Sequence, residues 1–363
     1  LRILFLEPFF GGSHKDFALG WQAHSDHHIE LLTLPDRFWK WRMRGAALHF
    51  AGKLSVMEPF DAVVATDMMN VADFRVLAGK KDVPLLLYFH ENQLTYPERP
   101  GENRAGQFAY INLTSALAAD RVLFNSQVHY NHFFHAAENL IHNVPDHSPE
   151  WIPDAVRNKT GVLYPGCRFA VGEKWERKSC KPAPLIVWNH RWEWDKQPEV
   201  FFRALEKVKD AKIPFRLALV GESYARIPKE FRRAEEEFSD HITVFGYVES
   251  RQKYLDLLRE GSVVVSTAIQ ENFGISVVEA ARMGCFPLLP DRLSYPEIMP
   301  DRFHEQVIYS DREDLVARLK HLLLHPGDYD RSRKELSGEM EKFSWLHMAP
   351  AYDEEIRCML SKV

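Results

Sequence analysis

The chain has 363 residues, of which 45% are hydrophobic and 27% charged, and 46 basic against 51 acidic side chains leave a net charge of −5. These values suit a globular protein of two domains with sizeable cores and exclude a globally basic nucleic-acid coat, so any nucleic-acid contact has to come from a local patch. No apolar run approaches the ~18 residues of a membrane span, so no membrane span is expected.

Along the chain, short runs rich in Val, Ile and Leu alternate with helix-length polar segments. The first half holds RILFL (2–6), IELLTL (29–34), AVVA (62–65), PLLLYF (84–89), RVLFN (121–125) and GVLYP (161–165). The second half holds LIVWN (185–189), FRLALVG (215–221), ITVFG (242–246), SVVVST (262–267), FPLLP (286–290) and QVIYS (306–310). Runs this short and apolar predict strands buried on both faces of a parallel sheet, and their spacing is that of repeated βα units. The expected fold class is α/β, with one Rossmann-like sheet in each half. The stretch CRFAVGEKWERKSCKPAP, charged and without a clear period, marks the break and divides residues 1–170 from 184–342. Phe343 to Leu360 reads as a last helix with Trp345, Leu346, Met348, Tyr352, Ile356 and Met359 along its apolar side, kinked at Pro350.

Leu1 opens directly into an apolar run with no charged leader, so no secretory signal is expected. Cys167, Cys180, Cys285 and Cys358 form no CxxC pair and read as reduced structural thiols of a cytoplasmic protein.

Open parallel sheets take ligands at the carboxyl ends of their strands, so the residues that follow each run are the candidates for a site. Glu7-Pro8-Phe9-Phe10-Gly11-Gly12-Ser13-His14-Lys15 follows the first. Gly11 and Gly12 permit close approach to a ligand, and His14 is a candidate contact. The segment is neither a GxGxxG fingerprint nor a GK[ST] loop, which disfavours NAD and ATP hydrolysis. Residues 37–44 carry Arg37, Trp39, Lys40, Trp41, Arg42 and Arg44 with no acid. Two readings stay open there: aromatics that stack on RNA bases while the cations meet phosphates, or an amphipathic helix with buried aromatics.

PLLLYF ends at His90-Glu91-Asn92-Gln93, a polar cluster that is costly unless it faces a cleft, which marks His90 as a site residue. Asn125-Ser126 is expected to cap the next helix, and Asp120 to be structural. His129, His132 and His135 read as a helix face rather than a metal site.

In the second half, LIVWN is followed by His190 to Glu199, in which Arg191 and Lys196 supply charge for a leaving diphosphate. Gly221 and Tyr247 also follow strands, the latter beside a possible nucleobase. After SVVVST come Glu271, Asn272, Phe273, Gly274 and Ile275, where a helix is expected to begin and to run to Gly284. Free amides at a helix start suit a diphosphate, and Glu271 and Glu279 flank that position with acceptors matched to vicinal sugar hydroxyls.

On these residues the halves resemble GT-B glycosyltransferases, specifically the retaining family-4 group. That resemblance implies two Rossmann-like domains facing an interdomain cleft, Glu271 and Glu279 on donor sugar and ribose, Arg191 and Lys196 on the diphosphate, and a last helix (343–363) that packs back on the first domain. A narrower set, GGSHK (11–15), LPDRFWKWRMRGAALHF (34–50), YFHENQLTYP (88–97), NHRWEWDKQPE (189–199) and ENFGISVVEA (271–280), resembles the tRNA-queuosine α-mannosyltransferase family. This implies GDP-mannose as donor and queuosine in the anticodon of an aspartate tRNA as acceptor, with Asn92 and Gln93 beside the 37–44 segment on the acceptor side. A long insert that some relatives carry between the halves is absent. The expected catalytic set is His90, Arg191, Lys196 and Glu271, with no metal, no other cofactor and no obligate protein partner. The alternatives are transfer of another sugar to a lipid or small molecule, nucleotide-sugar epimerisation, or a non-catalytic nucleotide-sugar or RNA-binding module.

Overall fold

The computed structural model describes residues 1–54, 57–79, 82–97, 106–169, 172, 175, 183–222 and 227–361. The chain forms two compact units: Leu1–Arg168 with Trp345–Val363, and Phe169–Ser344. Cys180 and much of the charged stretch around it lie outside the described residues. Among the described residues, Cys167, Cys285 and Cys358 form no disulfide. Among the described residues no helix is long and apolar enough to cross a membrane.

The first unit is built on six strands: β1 (Arg2–Phe10), β2 (His28–Pro35), β3 (Ala62–Thr66), β4 (Leu85–Phe89), β5 (Arg121–Phe124) and β6 (Thr160–Val162). All pairings are parallel and the order is β2-β1-β3-β4-β5-β6. Side chains alternate between two cores, as a period of two requires. Leu4, Leu6, Val63, Ala65, Leu87 and Phe89 enter one. Ile3, Phe5, Val64, Leu86 and Tyr88 enter the other. Glu7 remains in register with Thr33, and the strand shifts register between Glu7 and Phe10. β1 is thus longer than the apolar run RILFL, and Glu7 belongs to the strand rather than to the loop after it.

The helix Trp345–Leu360 covers the second of these cores with Trp345, Met348, Ala349, Tyr352, Ile356 and Met359. It runs unbroken through Pro350. Buried Asp353 fastens it. One oxygen accepts from Trp21 Nε1 (2.8 Å) and Ser25 Oγ (2.7 Å), the other from the Asp26 amide (2.8 Å).

The second unit repeats the plan with β7 (Leu185–Trp188), β8 (Arg216–Val220), β9 (Ile242–Gly246), β10 (Val263–Val265), β11 (Phe286–Pro290) and β12 (Ile308–Tyr309). The order is β12-β11-β10-β7-β8-β9, again parallel throughout. The direction of winding reverses between β7 and β10, and in the first sheet between β1 and β3. Loops part at such switch points and leave a crevice at the carboxyl edge, where ligands bind. Each unit therefore has one favoured position for a site.

Candidate active site

At the switch point of the second sheet, the residues after β7 meet those after β10. Lys196 closes a single 3₁₀ turn, Trp194–Lys196, and its side chain is almost wholly buried. Its Nζ donates to the Gln270 carbonyl and lies 3.5 Å from Glu271 Oε2 and 3.3 Å from buried Asp195 Oδ2. Thr267 Oγ1 donates to the carbonyls of Lys196 and Gln197, and the Ile269 amide to that of Asp195, which sews the two loops together. Arg292 donates to the carbonyls of Thr267 and Ala268. Arg191 is more exposed, with Nη1 3.7 Å from Glu193. Burial raises the Glu193 carboxyl, against the pull of Arg191. His190 is buried, and desolvation, with Lys196 nearby, lowers its imidazole to about 4, so it is neutral.

Gly274 has φ +100 and caps the helix Ile275–Arg282 without a side-chain bond. A β-carbon on Gly274 would meet the Tyr295 ring at 3.3 Å. Only glycine adopts this backbone freely, so the chain turns sharply there and leaves the first helical amides as a donor set. Phe273 is buried edge-on against Phe343 at 5.2 Å, and its carbonyl accepts from Ser294 Oγ. Asn272 Oδ1 accepts from Gln270 Nε2, and Ile275 is half-buried. Glu279, one turn further, is buried and paired with Arg251. Tyr247 is 67% exposed just after β9. Gly221 has a packing reason to be glycine: a β-carbon there would sit 1.9 Å from the His190 carbonyl oxygen.

At the switch point of the first sheet, the ends of β1, β3 and β4 bring Glu7, His14, Asp67 and His90 together. Gly11 is extended, tight against Asp36, and Gly12 (φ +48) opens the helix Gly12–His24 that carries His14 in its first turn. His14 Nδ1 lies 3.2 Å from Glu7 Oε1, which also accepts from the Phe9 amide (2.9 Å). The rings of His14 and His90 stack at 4.1 Å. The His90 main chain is held from both sides: its amide donates to Asp67 Oδ1 (2.8 Å) and its carbonyl accepts from Asn125 Nδ2 (2.9 Å). Burial lowers His90 well below the ordinary imidazole range, with His14 adding to the effect. Burial also lowers His14, but the charge and hydrogen bond of Glu7, helped by Asp67 and Glu91, outweigh it and raise the ring to about 9. Asp67 is pushed up to about 8 by burial, against the pull of His14. Atoms of Glu7, His14 and His90 lie within 4.8 Å of one another, the spacing of a metal-ligand set. One Glu7 oxygen, Oε1, serves both the Phe9 amide and His14.

The remaining candidates separate by burial. Buried Asn92 is spent on its own turn, where Oδ1 accepts from the amides of Leu94 and Thr95 and Nδ2 donates to Thr95 Oγ1. The Gln93 amide donates to Asn112 Oδ1, and its side chain to Glu91. The 37–44 segment opens the helix Trp39–Lys53. Arg42 is buried and braces the Pro35 carbonyl, so it is no surface cation. Trp39 is half-buried against Phe108, with Lys40 over its ring at 5.6 Å. Phe38 and Trp41 are 71% and 60% exposed, and Arg37, Lys40 and Arg44 are exposed beside them. The segment thus divides: Arg42 and Trp39 are taken up by packing, while Phe38, Trp41 and the remaining cations face solvent. His129 is buried and bonded to Asn125 Oδ1, while His132 and His135 are exposed on the same helix. Ser126 caps that helix, and Asp120 ties the Leu85 amide to Arg75.

Glu7, Asp67, Asp195, Arg251 and Arg292 were not selected by sequence reasoning. Asp67 and Asp195 do follow strands and fall under the same strand-end rule. Arg251 and Arg292 reach the site from a helix and a loop distant in sequence, and no local pattern announces them.

Two family models match the chain: "tRNA-queuosine alpha-mannosyltransferase N-terminal" over residues 2–167 and "Glycosyl transferases group 1" over residues 173–339. A tRNA-queuosine alpha-mannosyltransferase of Drosophila melanogaster is 33% identical over 97% of this chain and 95% of its own length. A GDP-mannose:cellobiosyl-diphosphopolyprenol alpha-mannosyltransferase of Xanthomonas oryzae is 22% identical over 48% of this chain and 47% of its own length. The sucrose-phosphate synthase of Thermosynechococcus elongatus superposes with a TM-score of 0.73 at 15% identity, covering both chains fully. The fold is the two-unit α/β GT-B fold, and the protein is a glycosyltransferase. With a relative of that identity matched over nearly its whole length, the chain belongs to the tRNA-queuosine α-mannosyltransferase family.

Proposed function

We propose that this protein moves mannose from GDP-mannose to queuosine in the anticodon of an aspartate tRNA, with retention of configuration and without a metal ion. The donor half of this reading rests on the Lys196–Glu271 junction beside the Gly274 turn. Arg191, Lys196 and the amides after Gly274 stabilise the departing diphosphate, whose negative charge grows as the glycosidic bond breaks. Glu271 holds sugar hydroxyls and Glu279 those of the ribose. Retention follows when the acceptor hydroxyl attacks on the face the diphosphate leaves and passes its proton to the leaving phosphate oxygen. His90, neutral and clamped by its main chain, positions the sugar. The name of the Xanthomonas relative supports a guanine nucleotide and mannose.

The observation that carries the acceptor half is the exposed stripe of Arg37, Phe38, Lys40, Trp41 and Arg44. In a protein of net charge −5, a cluster of three cations interleaved with solvent-facing aromatics fits unpaired bases and their phosphates. The test is incubation of the protein with GDP-mannose and queuosine-containing tRNA, followed by mass analysis of the nucleosides. A queuosine heavier by one hexosyl group supports the reading. GDP-mannose turned over only with a lipid or small-molecule acceptor contradicts it.

A further inference from the structure

Glu7 is fully buried at the end of β1, among the least favourable positions for a carboxylate in this unit. A fold keeps such a group only when partners or a task compensate the lost hydration. One oxygen is accounted for by the Phe9 amide and His14 Nδ1. The other, Oε2, is buried and has no hydrogen-bond partner among the described residues. Glu7 thus differs from Asp353, both of whose oxygens take fixed donors. Its side-chain hydrogen bond is to His14, which in turn stacks on His90.

The placement is specific. β1 and β3 border the switch point of this sheet, and β4 lies next to β3, so Glu7, Asp67 and His90 converge on one edge. The left-handed turn at Gly12 starts a helix there, which sets His14 over Glu7 in its first turn. Imidazole nitrogens lie on opposite sides of the ring. With Nδ1 on the carboxylate, Nε2 faces away from it, and in the charged ring each nitrogen carries a proton.

We propose that Glu7 is a positioning residue of the transfer reaction: its carboxylate pairs with His14 Nδ1 and keeps that ring a cation, whose Nε2–H is offered to an anionic oxygen of the substrate. This rests on the glycosyl-transfer reading above. Among the described residues, the titratable groups that face His14 are Glu7 from β1, Asp67 after β3, and His90 and Glu91 after β4. Glu7 alone of these touches a ring nitrogen with a carboxylate oxygen in direct contact, at 3.2 Å. The cation stays in place through the reaction, and the part of its attraction that grows with negative charge in the transition state lowers the barrier. Glu7 acts through His14 and contacts no substrate itself.

The experiment is a ring-nitrogen NMR titration of His14 in the ligand-free enzyme, alongside kcat and KM for the donor across pH. In the unmodified protein His14 holds its proton well above neutral pH. In Glu7→Gln it loses that proton below the ordinary histidine value, because burial remains while the counter-charge is gone. The same variant loses kcat on the order of 100-fold at neutral pH, with KM rising by a smaller factor. Glu7→Asp, which keeps the charge, recovers part of the loss. A His14 that titrates at the ordinary value in the unmodified protein overturns the proposal even if Glu7→Gln fails to fold, and so does full activity in a folded Glu7→Gln. The titration needs neither donor nor acceptor. Absence of sugar transfer to tRNA beside an intact His14 cation therefore overturns the acceptor reading, not this pairing.

Discussion

Lys196 and Glu271, 75 residues apart in sequence, lie 3.5 Å apart where the winding of the second sheet reverses. Lys196 also donates to the carbonyl before Glu271 and faces Asp195. The lysine thus both charges the site and fixes the loop that carries the glutamate. An enzyme that must meet a diphosphate needs cations already held in place, since reorganising them during the reaction would cost much of their benefit. Lys196→Ala, Arg191→Ala and Glu271→Ala are each expected to lower kcat/KM for mannosyl transfer by at least about 100-fold. Intact transfer by the Arg191 and Glu271 variants contradicts the site assignment.

Gly274 makes a separate prediction. Its φ of +100 lies where a side chain is strained. Gly274→Ala should cost about 1–2 kcal/mol of stability, visible as a lower Tm. It should also weaken binding of GDP, because the helix start shifts. An unchanged Tm and unchanged GDP affinity contradict the role given to this turn.

Asp353 joins the last helix to the first unit through three hydrogen bonds. Asp353→Ala leaves the buried Trp21 Nε1 without its acceptor and should destabilise that unit by about 3 kcal/mol or more. Urea unfolding measures this. A loss below about 0.5 kcal/mol shows that the helix is held by apolar packing alone.

The 37–44 segment divides into two kinds of residue, and its variants should divide with it. Trp41→Ala is expected to weaken tRNA binding by about 1–3 kcal/mol with little change in Tm, as for a lost base stack. Trp39→Ala should lower Tm, because Trp39 packs on Phe108. Charge removal at Arg37, Lys40 or Arg44 should flatten the salt dependence of tRNA binding. Equal RNA affinity in the Trp41 variant removes this surface from the account.

Stability should decline on both sides of mild acidity. His14 is held at about 9, above its ordinary value, so its contribution is complete below about pH 6.5 and is lost as pH rises toward 9. Asp67, raised to about 8 by burial, contributes fully below about pH 4 and loses this as pH rises toward 8. His190 and His129 are lowered by burial, to about 4 and about 3, so their contributions are complete above about pH 6.5 and fade as the solution is acidified. Urea midpoints measured from pH 5 to 9 should show both limbs, and Glu7→Gln should flatten the alkaline one. A midpoint independent of pH over that range contradicts these charge states.

Much of this was legible in the sequence, for identifiable reasons. Strands buried on both faces are nearly continuous apolar runs, so each of the twelve runs coincides with a strand. The rule that ligands sit after strands pointed to His90, Lys196 and Glu271. What the runs do not carry is strand order. The chain does not state that β10 lies beside β7, or that β3 lies between β1 and β4, yet those neighbours bring Lys196 to Glu271 and Asp67 to His90. Arg42 and Asn92 illustrate the opposite limit. Their polar groups suggested substrate contacts, and local backbone carbonyls and amides take them up instead. That competition depends on turn geometry, which composition does not reveal.

Metal independence of the proposed transfer is also open to test. Mannosyl transfer is expected to survive exhaustive chelation, since the proposal gives the diphosphate to Arg191, Lys196 and a helix start. Restoration of a chelated, inactive enzyme by a divalent ion would assign Glu7, His14 and His90 a different task.

The most direct measurement of the central claim is transfer itself. Purified protein, GDP-mannose and tRNA bearing queuosine are combined, and the nucleosides are resolved by mass, with tRNA lacking queuosine as the control. The account predicts a mannosylated queuosine, GDP released in equal amount, and neither product from the control tRNA or from Glu271→Ala. Unmodified queuosine in the presence of an enzyme that transfers mannose elsewhere would contradict it.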